Sequence, residues 1–225
     1  MVTLTGKKDV YCVLDTETVG GASHPTGFYH LAGKIATYDG TLNVPFNIIA
    51  LDKFAEINMD EYAKKNIGLY TEMIKNGKVT AVPTEDEAIQ IVNSLCNFYG
   101  VKYMMAYNTG FDFVKTKCRE LIKDREFIDI YLMALQTVTH LKKYAEFCRE
   151  NNLCSSSKKS VATTAESVYA FITGNADYKE EHTAFEDSKI EEQIFLYCRN
   201  MHKKFTKNMH MWDCWENKCF PKWER

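Results

Sequence analysis

"VLDTET" (residues 13–18) places two carboxylic acids, Asp15 and Glu17, at the end of an apolar run that begins at Asp9. The run, DVYCVLDTE, is apolar on both faces apart from its ends, which is typical of a central strand covered by helices on each side. Alternate residues of a strand point the same way, so the two acids project together, with their Cα atoms about 7 Å apart. Because an unpaired buried charge is costly, one cation could bind both acids, although a D-x-E pair taken alone is more typical of a solvated strand end or a helix cap.

The segments that follow this strand predict a mixed sheet. Asp39 and Gly40 lie between two β-capable runs and are typical of a tight hairpin turn, so the sheet should begin antiparallel. The apolar run at residues 101–107 predicts a second buried strand, and residues 111–122 predict the helix after it. Capping boxes predict three further helix starts, at Thr84 with Glu87, Thr163 with Glu166, and Thr183 with Glu186. Strands first and helices later indicate an α/β fold in which a mixed β-sheet has helices on both faces.

Length and composition indicate one domain over residues 1–225, with a C-terminal extension from about residue 200. The 28 Lys and Arg residues nearly balance the 30 Asp and Glu residues, which argues against a protein that coats duplex nucleic acid by bulk attraction. The eight cysteines form no C-x-x-C pair and are interpreted as reduced thiols. The sequence shows no signal-peptide or membrane-helix pattern, so we expect a cytoplasmic protein with no membrane partner.

Two more acids and a histidine are candidates for the site at the end of the first strand. Asp112 starts the helix predicted after the second buried strand, and Asp187 falls in the first turn of the last capped helix. Inward-facing carboxylates would repel one another unless hard divalent cations, Mg²⁺ or Mn²⁺, neutralise them. Two such ions can activate a water and stabilise the leaving oxygen of a phosphodiester. His182, just outside the capped helix, suits a general base.

Each of these residues has an ordinary alternative when it is taken alone. Asp112 and Asp187 are also typical of helix starts, and His182 is also typical of an exposed surface. The indication of a shared site comes from the ordered set of three stretches, LDTET on a strand, AYNTGFD at a strand-to-helix junction and HTAFED at a helix start.

These stretches resemble the DEDD exonucleases with a ribonuclease-H-like fold, in the DEDDh branch whose third motif carries histidine. The matches are Asp15 and Glu17 to the first motif, Asn108, Phe111 and Asp112 to the second (N-x-x-F-D), and His182 and Asp187 to the third (H-x4-D). The resemblance covers nearly the whole chain and implies two divalent metal ions. It implies that Asp15, Glu17 and Asp187 hold one ion, that Asp15 bridges to the second and that Asp112 acts there directly or through water. It also implies that His182 deprotonates the attacking water.

The function implied by this resemblance is 3′-5′ exonucleolytic hydrolysis of single-stranded nucleic acid to nucleoside 5′-monophosphates. We favour DNA 3′ ends over RNA, with a 3′-5′ exoribonuclease or oligoribonuclease as the alternative. TTAESVYAFITGN, before EEHTAFEDSKIEE, is more similar to phage-encoded members than to polymerase-associated proofreading subunits.

Substrate contacts are predicted beside the motifs. Thr18, Asn108 and Phe111 are the candidate substrate-binding residues, and Phe111 and Phe113 are candidates for base stacking, with core packing as the alternative. Family members commonly follow the first motif with Thr-Gly and a large apolar wedge, whereas this chain has Val-Gly-Gly at residues 19–21. The loop at residues 155–160, with its two lysines, could track phosphates or be simply solvated. Asp129 resembles an acid that these enzymes often carry as structural support.

A second metal hypothesis concerns the C-terminus, where cysteines and histidines cluster at Cys198, His202, His210, Cys214 and Cys219. Cys198 with His202, and His210 with Cys214, each have i, i+4 spacing, which would put two zinc ligands on one helix face. Ordinary packing of this segment on the domain is the favoured interpretation. The rival function from this cluster is a non-catalytic nucleic-acid-binding module with a zinc site.

Overall fold

The protein is described by a computed structural model covering residues 8–20, 24–57, 63–154, 160–201, 205–211 and 213. A six-stranded sheet lies at its centre, in the order β4-β3-β2-β1-β5-β6. The strands are β1 (Val10–Val19), β2 (Gly27–Thr37), β3 (Asn43–Ala50), β4 (Thr80–Val82), β5 (Tyr103–Ala106) and β6 (Glu126–Asp129). The predicted first strand is therefore a central strand, with two neighbours in the sheet.

Strand directions confirm the predicted mixed sheet. β1, β2 and β3 form an antiparallel meander, whereas β5 runs parallel to β1, β6 parallel to β5 and β4 parallel to β3. The β2–β3 connection is a loop over residues 38–42, in which Asp39 accepts hydrogen bonds from the hydroxyls of Thr37 and Thr41 at 2.7 Å each. Gly40 lies in that loop with φ +73°. The carboxyl ends of β1 and β5 meet at one edge of the sheet because the two strands are parallel.

Helices cover both faces of the sheet, as predicted. They are α1 (Leu51–Glu56), α2 (Ile67–Lys75), α3 (Glu85–Tyr99), α4 (Ile130–Thr137), α5 (Lys142–Glu150), α6 (Ala165–Thr173) and α7 (Ala184–Met201). Helices α4 to α7 bury one apolar cluster against the sheet, and α3 buries a second cluster against the opposite face. A 3₁₀ turn, Ala63–Asn66, leads into α2, which packs with α1 in a smaller third cluster.

The predicted single helix over residues 111–122 is wrong. The structure has a π-helical segment, Gly110–Lys115, followed by a 3₁₀ helix, Lys117–Ile122. Thr116 separates them in an extended conformation, with φ −113° and ψ 173°. Its hydroxyl donates to the carbonyl of Asp112 and accepts from the amide of Cys118. A threonine side chain that bonds nearby backbone groups competes with helical hydrogen bonding, which explains the break.

Two of the three predicted helix caps are confirmed. The hydroxyl of Thr84 accepts from the Glu87 amide at 3.2 Å, and the hydroxyl of Thr183 accepts from the Glu186 amide at 3.3 Å. The third cap is shifted by one residue, because Thr164 caps α6. The Thr163 hydroxyl lies instead 2.5 Å from the Tyr131 hydroxyl. Within the described part of the chain, no helix is long and apolar enough to cross a membrane.

Candidate active site

Three of the predicted metal ligands meet at the carboxyl end of β1. Asp15 and Glu17 extend from this strand, and Asp187 lies in the first turn of α7, which packs across β1 and β2. Each of the three offers an oxygen within 4.8 Å of the oxygens of the other two. A hydrogen bond joins β1 to α7 nearby. The Tyr11 hydroxyl, on the same face of β1 as Asp15, donates to Glu192 of α7 at 2.8 Å. The predicted convergence of the first and third motifs is thus present in the structure.

The fourth acid, Asp112, approaches the same edge from the neighbouring strand. It follows β5 in the π-helical segment and is 1% exposed. The hydroxyl of Thr16 donates to its Oδ1 at 2.7 Å. Thr16 lies between Asp15 and Glu17 in the strand, so the strand end that carries these two acids also contacts Asp112. Asp112 is outside the group of three oxygens that lie within a single ion's reach.

The carboxyls of this cluster are held in an environment that favours their neutral forms. Burial raises the pKa of Asp15 well above its ordinary value, and the nearby Glu191 adds to that rise. Burial and Asp187 raise the pKa of Glu17 to about 8. Burial raises the pKa values of Asp112 and Asp187 to about 7 each. Each shift opposes ionisation, so the folded chain gains from any group that compensates the negative charges.

The donor set fits a hard divalent cation. Asp187 Oδ1 is buried and has no hydrogen-bond partner among the described residues. A buried acceptor without a partner carries a desolvation penalty that a bound cation would remove. All the facing groups are carboxylate oxygens, which suit Mg²⁺ or Mn²⁺ better than the softer metals.

One residue of the cluster was missed by the sequence reasoning. Glu191 is 4% exposed and lies one helical turn after Asp187 on α7. Its Oε2 accepts a hydrogen bond from the backbone amide of Tyr107 at 3.0 Å. Tyr107 is the residue directly before Asn108. Burial raises its pKa well above the ordinary value, and Asp112 adds to the shift. The i, i+4 spacing from Asp187 was the available signal, because residues four apart share a helix face.

Without metal, the stability of the protein should fall as pH rises from about 6.5 to 8. These carboxyls have higher pKa values folded than unfolded, so the folded state holds more protons in this window and loses that advantage as they ionise. If the folded state binds one proton more than the unfolded state, the free energy of unfolding falls by about 1.4 kcal/mol per pH unit. Over this window the loss is on the order of 2 kcal/mol, which lowers the thermal unfolding midpoint by roughly 4–8 °C. Thermal unfolding in EDTA measures this, and Mg²⁺ or Mn²⁺ should reverse it.

The window begins at pH 6.5 so that protonation of buried histidines contributes little to the measured change in stability. Burial lowers the pKa of His30 to about 4, so this histidine affects stability mainly in more acidic solution. Glu191→Gln should flatten the pH dependence, since an amide keeps an acceptor for the Tyr107 amide and removes one charge. Glu150→Gln, at an exposed position, should leave the slope unchanged. A thermal midpoint that is constant from pH 6.5 to 8 in EDTA would show that ionisation of these carboxyls does not destabilise the folded protein.

His182 is exposed and lies directly before α7. Its side chain is 47% exposed, and its Nδ1 lies 4.0 Å from Glu180 Oε2. Its backbone is left-handed, with φ +53°, directly before the Thr183 cap of α7. The predicted base therefore lies on an exposed segment beside Glu180, directly before α7.

The candidate substrate residues lie in two places around the acids. Asn108 has a left-handed backbone with φ +73°, and its buried Oδ1 has no hydrogen-bond partner among the described residues. Phe111 is half-buried, with the Lys115 ammonium 5.8 Å from its ring centroid. Thr18 follows Glu17 at an irregularity in the β1–β2 pairing. Phe113 is fully buried in the core, so its alternative interpretation as a core aromatic is correct.

The structure does not support the C-terminal zinc site in the residues it describes. Cys198 lies on the buried face of α7, within the core, and His210 Nδ1 lies 2.8 Å from the Thr109 hydroxyl. His202, Cys214 and Cys219 lie outside the described residues, as do the two loop lysines Lys158 and Lys159. In the described ranges, the single group with metal-binding geometry is Asp15, Glu17 and Asp187.

Comparisons with solved structures find the same fold in three nucleases. The nuclease domain of 3′hExo, a DEDDh family member bound to rAMP, matches with a TM-score of 0.56 at 14% identity, over 90% of this chain and 98% of that one. The chain has a ribonuclease-H-like fold. A full-length 3′-exonuclease matches with a TM-score of 0.55 at 13% identity, over 90% of this chain and 64% of that one. Cell-death related nuclease 4 (CRN-4) matches with a TM-score of 0.52 at 14% identity, over 91% and 70%.

The likeness is in structure and not in overall sequence. No protein-family model matches the chain, and neither does any curated protein. The fold prediction is confirmed, although it rested on a few short motifs. Those motifs fall at the two strand ends and the helix start that border one edge of the sheet.

Proposed function

We propose that the protein is a metal-dependent 3′-5′ exonuclease acting on single-stranded nucleic acid and releasing nucleoside 5′-monophosphates. The observation that carries the proposal is the meeting of Asp15, Glu17 and Asp187 within one ion's reach, with Asp112 beside them. The fold is shared with a DEDDh nuclease domain that was solved with rAMP, a nucleoside monophosphate, which supports the proposed product class. The predicted preference for DNA over RNA and the phage-type assignment stay predictions.

The acids would hold two divalent cations, Mg²⁺ or Mn²⁺. Asp15, Glu17 and Asp187 would hold one ion, and Asp15 and Asp112 would hold the second, with Asp112 acting directly or through water. When bound, the ions would supply Lewis-acid activation of a water molecule and neutralise charge at the scissile phosphate. The Thr16 hydroxyl orients the Asp112 carboxylate through its hydrogen bond.

His182 would accept the proton of the attacking water. Its exposed position next to Glu180 leaves the imidazole free to move over the carboxylates when substrate enters. The unpaired Asn108 Oδ1 can accept a hydrogen bond from the terminal nucleotide. Thr18 and Phe111 complete the proposed contacts to that nucleotide.

A time course on 5′-labelled oligonucleotides tests this function. Single-stranded DNA and RNA of equal sequence are incubated with Mg²⁺, Mn²⁺, Ca²⁺ or EDTA. We expect a ladder that shortens from the 3′ end in Mg²⁺ or Mn²⁺, with nucleoside 5′-monophosphates as the products. Ca²⁺ should support little cleavage, because its longer and looser coordination holds water and phosphate less rigidly.

The same assay separates the remaining alternatives. Faster shortening of RNA would identify an exoribonuclease or oligoribonuclease on the same site. Early release of the 5′ label, or cleavage that survives EDTA, would contradict the proposal. Parallel reactions with Asp15→Ala protein exclude a contaminating nuclease.

A further inference from the structure

Residues 205–211, here called the C-terminal strap, run along the outer edge of the sheet. Phe205 is 1% exposed and belongs to the core cluster beneath α7. Asn208 then pairs with the last strand, since its amide donates to the Phe127 carbonyl at 2.8 Å and its Oδ1 accepts from the Phe127 amide at 2.9 Å. The strap therefore covers the edge of β6, which would otherwise present unpaired backbone groups.

Beyond that pairing, the strap reaches the second motif. The His210 ring stacks on Phe127, with centroids 4.5 Å apart. His210 Nδ1 lies 2.8 Å from the Thr109 hydroxyl, which itself donates to Asp129 Oδ2 at 2.9 Å. The amide of Met211 donates to the same Oδ2 at 2.8 Å. Because Thr109 has one hydroxyl proton and gives it to Asp129, His210 Nδ1 carries the proton of the bond between them.

Thr109 occupies a turn that presents two candidate site residues. Asn108 directly precedes it with a left-handed backbone, and the Asn108 amide donates to Asp129 Oδ1 at 3.2 Å. The Phe111 amide closes the turn on the Asn108 carbonyl at 2.8 Å. Asp112 follows within the same π-helical segment. A non-glycine residue in the left-handed region persists when its surroundings hold it there, and the bonds to Asp129 and Thr109 provide that hold.

We propose that His210 is a positioning residue, through which the C-terminal strap fixes the Asn108–Asp112 turn for substrate. The inference rests on the proposed exonuclease function, and it adds that a segment outside all three motifs is required for tight substrate binding. Thr109 is fully buried, so a water molecule cannot readily take the place of His210 as the hydrogen-bond donor. Loss of that donor frees the turn at the position next to Asn108, a proposed contact to the terminal nucleotide.

Three substitutions at residue 210 separate the hydrogen bond from packing. His210→Phe keeps an aromatic ring on Phe127 and removes the donor, whereas His210→Asn can place an amide N–H where Nδ1 lies. His210→Ala removes both. We expect KM for a single-stranded oligonucleotide to rise about tenfold in the Phe and Ala variants, with kcat changed by less than about threefold. The Asn variant should have a KM close to wild type.

Hydrogen exchange at residues 108–112, measured without metal or substrate, gives a readout that does not need activity. These amides should exchange faster in His210→Phe than in wild type and return to the wild-type rate in His210→Asn. Unchanged exchange in the Phe variant, or an Asn variant that matches it, would overturn the proposal. If wild-type protein cleaves no nucleic acid, the proposed function fails, and the exchange rates still decide whether the strap holds the turn.

Discussion

Asp15→Ala should lower the rate of nucleotide release by at least about 10³-fold, which corresponds to about 4 kcal/mol in the activation barrier. Asp15 lies close to the other acids of the cluster. Besides burial, the charges of Glu191, Asp112, Glu17 and Asp187 all raise the pKa of its carboxyl. It lies on the central strand of the sheet, between the ligands contributed by α7 and by the segment after β5. No other carboxylate of the cluster can therefore replace it for both proposed ions.

The same substitution should make the metal-free protein more stable, because it removes one of several facing, partly buried acids. Single-turnover cleavage and thermal unfolding in EDTA measure the two effects on one preparation. Asp124→Ala, at an exposed position, is the matched control and should change neither. An Asp15 variant that keeps more than about a hundredth of the wild-type rate would show that the ligand assignment is wrong.

Replacement of His182 should separate binding from chemistry. We expect His182→Asn to lower the single-turnover rate by roughly 10²- to 10⁴-fold, with metal and substrate affinity near wild type. Asparagine is the substitution of choice because the backbone at this position is left-handed, with φ +53°, and asparagine tolerates that conformation better than alanine. A loss of activity then reports the missing base and not a rearranged loop.

The pH profile identifies the role of this histidine. Only neutral imidazole accepts a proton, so a rise of the wild-type rate with pH that depends on His182 as the base should be absent in the variant. His24→Asn, another exposed histidine, serves as the control. Equal rates for the two proteins, or an ascending limb that survives in His182→Asn, would leave His182 as a surface residue.

The sequence was sufficient for the features that depend on short periodic patterns. The spacing of Asp15 and Glu17 on a strand gave their common direction, and the cap at Thr84 gave the start of α3. In each case the deciding interactions lie within a few residues of one another. Local rules of strand alternation and helix capping therefore predict them correctly.

Features that depend on contacts between distant segments were missed. Thr16 lies between two acids and gave no signal, because its role arises from a hydrogen bond to Asp112, 96 residues away in the chain. Glu191 offered a helical spacing, but only the packing of α7 on β1 shows that it faces the cluster. The break at Thr116 was missed because the apolar pattern of residues 111–122 fits an α-helix and gives no weight to a threonine that bonds the backbone.

The position of the site at the end of β1 also has a consequence for folding. Its acids come from the first strand, the segment after the fifth strand and the last long helix, so they are brought together only by contacts of high sequence separation. Such contacts form late, since the loop-closure entropy must be overcome before they can stabilise the chain. A chain that stops before α7 lacks Asp187, and an unfolded chain keeps the acids apart. Divalent-ion affinity should thus be a property of the completed native state, and it can serve as a measure of how much of a preparation has folded.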